Sequence, residues 1–231
     1  MTERKPSIRN ADFIRRTTSA SAITAEFLQE SDRGCILIGG AMLDELMRAL
    51  LQAYFIGEKK VVERLLDGGN APLGTFSSRI ALCRVLGLIP EELHHDLEIV
   101  RKIRNDAAHF EWAREDAFDI SFTNKAVLAR MRCLRCVHPG AWGAGLTPRQ
   151  IFVALVAGVC ARFSELSLAG LFVRENMDHE VGNGFGTTTA RRMLIELGSR
   201  EFRPVVSRTI HDVHGVYLEP PPTPYCMSDG A

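Results

Sequence analysis

The sequence predicts an all-α fold, a helical bundle, and three observations carry that prediction. Pro90 is followed by Glu91 to His109 without a Gly or Pro. At roughly 100° per residue, Leu93, Leu97, Val100, Ile103, Ala107 and Ala108 share one face there, with Ile99 at its edge. Arg33 to about Phe55 repeats the pattern, with Ile36, Leu43, Met47, Leu50 and Tyr54 aligned and Leu46 and Leu51 flanking them. The third observation is punctuation. Ser31 or Asp32, Thr75, and Thr147-Pro148 are helix-start signals, each just ahead of an apolar-periodic run.

Taken in order, residues 1–18 are polar and basic (Arg4-Lys5, Arg9, Arg15, Arg16) and read as a loose arm. Ser19 to Glu30 forms a short helix, followed by the long Arg33–Phe55 helix. Gly39-Gly40 lies on the apolar side of that helix. Two glycines cost about 1 kcal/mol each relative to Ala, so a close approach of another element should compensate. Glu58 to Leu66 is a third helix, stopped by Asp67-Gly68-Gly69-Asn70. Thr75 to Leu86 is a fourth, ended by Gly87; its turn serves packing, with an anion on the N–H groups of Thr75 to Ser77 as the alternative. Glu111 to Ser121 is mixed, and Trp112, Phe118, Ile120 and Phe122 could cover the end of the bundle. Asn124 to Cys136 is helical and the most cationic segment, through Arg130, Arg132 and Arg135. His138 to Gly145 is a flexible connection, and the helix from Thr147-Pro148 to about Val173 is the most apolar of all. The bundle therefore spans residues 19–173. Residues 174–231 form an extra C-terminal segment, with one helix at Thr187 to Leu197 and a disordered Pro-rich tail from Glu219.

Arg104 falls inside the apolar arc of the Glu91–His109 helix, between Leu93 and Leu97. An unpaired buried charge costs several kcal/mol, so a carboxylate must meet it. Asp44, on the border of the facing arc, is the first choice for a structural ion pair with Arg104, and Asp96 the second. Arg101, Asn105 and His109 form an adjacent ridge at i, i+4, i+8. Arginine offers a fork for phosphate oxygens, and histidine titrates near neutrality, so Arg104 and His109 together could handle a phosphate.

Arg104-Asn105-Asp106-Ala107-Ala108-His109 reads R-N-x-x-x-H, which resembles the motif of the HEPN superfamily of helical domains. A longer ordered series comprises ESDRG from Glu30, LDEL from Leu43, LLDG from Leu65 and PLGTFSSRI from Pro72. It continues through LGLI from Leu86 and RKIRNDAAH from Arg101 to ISF from Ile120. That series resembles the mannitol-repressor family of bacterial helical regulators. The resemblance implies a HEPN-like antiparallel bundle in a dimeric, cytoplasmic protein of transcriptional control, with a regulatory protein partner. Without a basic recognition helix, repression is expected to act through protein contacts rather than base readout. The short motif implies an alternative, a metal-independent endoribonuclease. There Arg104 would stabilise phosphorane charge, Asn105 would position an oxygen or the histidine, and His109 would be general acid or base as a 2′-OH attacks the adjacent phosphate. RNA is a partner only under that alternative.

Composition narrows the classes further. With 28 Lys+Arg against 28 Asp+Glu, the 231-residue chain has a formal net charge of zero, so no global field favours nucleic acid or an anionic membrane. Cysteines 35, 83, 133, 136, 160 and 226 are scattered among apolar residues and read as reduced core thiols of a cytosolic protein. Cys133-Leu-Arg-Cys136 lacks a second ligand pair, so no metal is expected, and no cofactor motif stands out. Gly182-Asn-Gly184-Phe-Gly186 follows no apolar strand and is not a phosphate loop. The uncharged run Gln150 to Ala161 is too short to span a bilayer.

Overall fold

The computed structural model describes residues 17, 19–55, 59–68, 70–108, 120–181 and 185–218, and for residues 59, 172–181 and 185–187 the backbone alone. Among the described residues there are α-helices, one 3₁₀ turn and no strand, so the chain is all-α. The helices are α1 (Ala20–Phe27), α2 (Asp32–Tyr54), α3 (Lys59–Leu66), α4 (Phe76–Val85) and α5 (Glu91–Ala108). They continue with α6 (Lys125–Met131), α7 (Pro148–Val181), α8 (Phe185–Gly198) and α9 (Arg203–His214).

The start signals act where the sequence places them. Ser31 accepts the Gly34 N–H at 3.0 Å and starts α2. Thr75 and Ser78 form a reciprocal capping box at α4. Thr147 accepts the Gln150 N–H at 3.2 Å at α7. Asn124, which the sequence reading does not mark as a cap, accepts the Ala126 and Val127 N–H groups at α6. On α5, Leu93, Leu97, Ile99, Val100, Ile103 and Ala107 are buried as expected, whereas Ala108 is exposed at the helix end.

α2 is the central element and packs against α4, α5, α7 and α8, while α7 packs against α1, α2, α8 and α9. The glycine pair explains how two helices crowd one. A Cβ on Gly39 would sit 3.1 Å from Phe152 and 3.2 Å from Val156 of α7. A Cβ on Gly40 would sit 2.6 Å from Cγ and 3.0 Å from Cβ of Arg104 on α5. Adjacent residues of α2 thus receive side chains from different neighbours, so each glycine has its own packing reason.

Several expectations need correction. Thr17, assigned to a loose arm, is buried and shares a 2.6 Å hydrogen bond with Ser164 of α7. α6 stops at Met131 rather than Cys136, because the following peptide turns to give its Arg135 and Cys136 N–H groups to Asp96, each at 2.8 Å. The "flexible" connection holds a 3₁₀ turn, Pro139–Trp142, with His138 accepting the Gly140 N–H. The boundary after residue 173 falls inside α7, which runs on to Val181. Beyond it, α9 is a second C-terminal helix that the sequence reading misses; it buries Val206, Thr209 and Ile210 and ends at Gly215 with φ 68°. Pro148–Leu171 is also long and apolar enough to cross a membrane by length and composition, but 78% of that window is buried inside the protein, the situation of a core helix. The residues proposed to cover the bundle end through Phe118, and the tail from Glu219, lie outside the described residues.

Candidate functional site: the arginines between α2, α4 and α5

The seam between α2 and α5 brings Arg104 against Gly40, so the aliphatic stem of the arginine lies on the α2 backbone and its head is half-buried. Among the described residues its one hydrogen bond runs from Nη1 to the Asn105 Oδ1, at 3.3 Å. The expected Asp44–Arg104 ion pair is not formed. Asp44 is taken by Arg79 of α4, whose Nη1 lies 2.6 Å from Asp44 Oδ1. Arg104 acts on that carboxylate only through its charge. The second choice is no better, since Asp96 is 1% exposed and saturated by two backbone N–H groups with His95 Nδ1 3.1 Å away.

Arg79 is the functional-looking residue that sequence reasoning passes over. It is buried, and its three outward donors have separate targets: Nε to the Leu73 carbonyl at 2.9 Å, Nη2 to the Leu66 carbonyl at 2.8 Å, and Nη1 to Asp44. One guanidinium thereby closes the α3–α4 turn onto α2. Such charge-assisted bonds are short and about twice as strong as neutral ones. Burial pushes the Asp44 carboxyl above its ordinary value, outweighing the downward pull of Arg79 and then Arg104. The only hint in the sequence is that Arg79 lies within PLGTFSSRI, one residue before its end, in the run that resembles the regulators.

The rest of the R-N-x-x-x-H segment is divided. Asn105 sits beside Arg104, Asp106 is paired with Arg130 of α6, and the Ala107 carbonyl accepts Arg33 Nε at 2.9 Å. Arg101 turns to Glu98 at 2.8 Å. His109 lies outside the described residues. Arg48, buried on α2, binds both oxygens of Asp67 at 2.7 and 3.0 Å, which fixes the end of α3. Arg149 ties the start of α7 to Asp32 at 3.1 Å and to the Phe27 carbonyl at 2.8 Å.

Among the described residues no cluster of three or more His, Cys, Asp or Glu could hold a metal ion. Burial pushes the thiols of Cys83, Cys136 and Cys160 well above the usual range, so they stay protonated and inert. What the seam can do chemically is present one half-buried guanidinium with an amide beside it, on a frame locked by Arg79.

Comparison with known proteins bears on the same region. A model of the family described as "Mannitol repressor" matches residues 25–143, a span that holds Asp44, Arg79, Asp96, Arg104 and Asn105. The proteins named "Mannitol operon repressor" of Escherichia coli K12 and of Escherichia coli O6:H1 (strain CFT073) are each 29% identical over 109 residues. The aligned part is 46% of this chain and 52% of each relative, so the chain spans about half the length of the curated relatives it matches. No solved structure matches it.

Proposed function

We propose that this chain, which belongs to the mannitol repressor family, is a repressor-like transcriptional regulator that works through protein contacts rather than by reading bases. The observation that carries the reading is the family match over residues 25–143. Electrostatics supports the indirect mode. The net charge is zero, and several candidate cations are spent internally: Arg130 on Asp106, Arg101 on Glu98 and Arg149 on Asp32. Binding to a phosphate backbone scales with the number of free cations that displace counterions. In this reading the protein is a cytoplasmic homodimer with a regulatory protein as its further partner.

The test is transcript profiling of a deletion strain, complemented with the wild-type gene, alongside mobility shifts of the responding promoters with purified protein. A defined set of transcripts should rise on deletion and fall on complementation, with no shift of promoter DNA at physiological salt. An unchanged transcript profile would remove the regulator reading. A sequence-specific shift would keep regulation and overturn the indirect mode.

One observation favours a second reading. Because Asp44 is spent on Arg79, Arg104 keeps donors for an anion. With Asn105 and His109 it could serve a HEPN-type metal-independent ribonuclease. Incubation with total RNA in EDTA, beside His109→Ala, tests this; cleavage by the wild type alone would establish it, and intact RNA in both would dispose of it.

A further inference from the structure

A second polar site lies away from the Arg104 seam. Glu92 of α5, Arg135 and Cys136 of the turn after α6, and Glu201, Phe202 and Arg203 at the start of α9 line a cleft of about 160 Å³. Its floor is held from both sides. The Arg135 and Cys136 N–H groups are donated to the buried Asp96, and the Arg135 carbonyl accepts Arg203 Nε at 3.2 Å and Nη2 at 3.0 Å. One wall is apolar and rigid, since Phe202 is 2% exposed and packs on Phe163 with ring centroids 5.2 Å apart. A floor and wall fixed in this way leave only the exposed charged side chains to be ordered by a ligand.

The charges lining it come in opposed pairs. Neither Glu92 nor Glu201 has a hydrogen-bond partner among the described residues, whereas Arg203 spends two donors on a carbonyl and keeps Nη1. Arg135 reaches only Glu91, at 3.5 Å, with 48% of its side chain exposed. In addition, Phe202 is the N-cap of α9 and makes no side-chain cap bond, so the positive end of that helix lies at the same cleft, although Pro204 in its first turn has no N–H to offer. Two cationic heads plus a helix start suit a carboxylate, and two unpaired carboxylates suit an ammonium. A polyanion would meet Glu92 and Glu201, and a simple cation would meet Arg135 and Arg203. The volume, below the usual range of about 300–1,000 Å³ for drug-sized ligands, restricts the occupant to a few heavy atoms.

We infer that this cleft binds a small zwitterion bearing one carboxylate and one ammonium group, an α-amino acid in size and charge. The carboxylate meets Arg135 and Arg203, and the ammonium meets Glu92 and Glu201. Such a ligand would bridge α5, inside the family match, to α9, outside it. The binding does not depend on the regulatory role proposed above.

The experiment is thermal unfolding of the full chain with each common α-amino acid in turn, confirmed by titration calorimetry on any that raises Tm. The matching amine and the matching carboxylic acid serve as controls. At ten times Kd a true ligand should raise Tm by about 3–6 °C, while the amine and acid alone should not. Glu92→Gln and Glu201→Gln change exposed residues and should leave the unliganded Tm in place while weakening binding at least tenfold. No shift with any amino acid would overturn the inference. So would a shift equalled by the amine or acid alone, or one unaffected by both variants.

Discussion

Replacing Arg79 with methionine separates the arginine that holds the fold from the one placed to act. Methionine keeps the aliphatic stem and removes the three donors that reach Leu73, Leu66 and Asp44. Breaking a buried pair by removing one partner costs about 3–5 kcal/mol. The two stranded carbonyls account for the larger share of this, because the Asp44 side chain is 28% exposed and can turn to water. Arg104→Met should cost about 1 kcal/mol or less, since it gives up a single 3.3 Å bond to its sequence neighbour. Urea unfolding followed by circular dichroism measures both, with an unchanged m-value showing that only stability has moved. In heating experiments Arg79→Met should lower Tm by about 6–20 °C. A double-mutant cycle with Asp44→Asn should return a coupling of about 0.5–3 kcal/mol. If Arg104→Met proves the more damaging, or Arg79→Met costs under about 1 kcal/mol, the assignment of Asp44 to Arg79 is wrong.

Three other outcomes follow from the same geometry. Gly40→Ala should destabilise by up to about 2 kcal/mol, the overpacking cost of about 1–3 kcal/mol less a helix-propensity gain of about 1 kcal/mol. Adding Arg104→Ala should recover part of that loss, because the atom 2.6 Å from the new methyl is Arg104 Cγ; strict additivity in unfolding curves would contradict the contact. Asp96→Ala strands the buried N–H of Cys136 and the part-buried N–H of Arg135 and should cost about 1–4 kcal/mol, with hydrogen exchange accelerating at Arg135 and Cys136 first. His214, at the end of α9, has its Nε2 buried with no hydrogen-bond partner among the described residues, and burial lowers its pKa below the ordinary 6.5 against the upward pull of the Gln150 backbone. The unfolded chain then takes up the proton before the folded one, so stability is complete above pH 6.5 and falls as pH drops through the folded value. His214→Phe should flatten that part of the stability–pH curve, and an unchanged slope would remove His214 as its source.

Helices whose determinants are local were legible in the sequence. α2 and α5 announce themselves by apolar arcs, and Ser31 and Thr75 mark the starts of α2 and α4. α9 carried comparable signals in Pro204, Val206, Ile210, the histidines of its last turn and Gly215, but the neighbouring Gly- and Pro-rich stretches mask its short period. Determinants at a distance were not legible. Nothing near Met131 says that Asp96 will draw off the next amides and end α6. Arg79, following two serines in a polar first turn, looks like a solvated cation until its carbonyl partners come into view. The same limitation misassigned Arg104: its place on the apolar arc was readable, but which cation would claim Asp44 depended on how α4 lies across α2.

The span shared with the family stops at residue 143, yet Phe152 and Val156, which fill the space above Gly39, belong to α7 beyond it. A truncated protein ending at that limit would leave the middle of α2 bare to water on its α7 side, along with the partners of Ile151, Leu155 and Phe163. Homology boundaries and cooperative folding units therefore differ in this molecule. Deletions meant to isolate the family-matched portion should yield aggregates unless α7 travels with it.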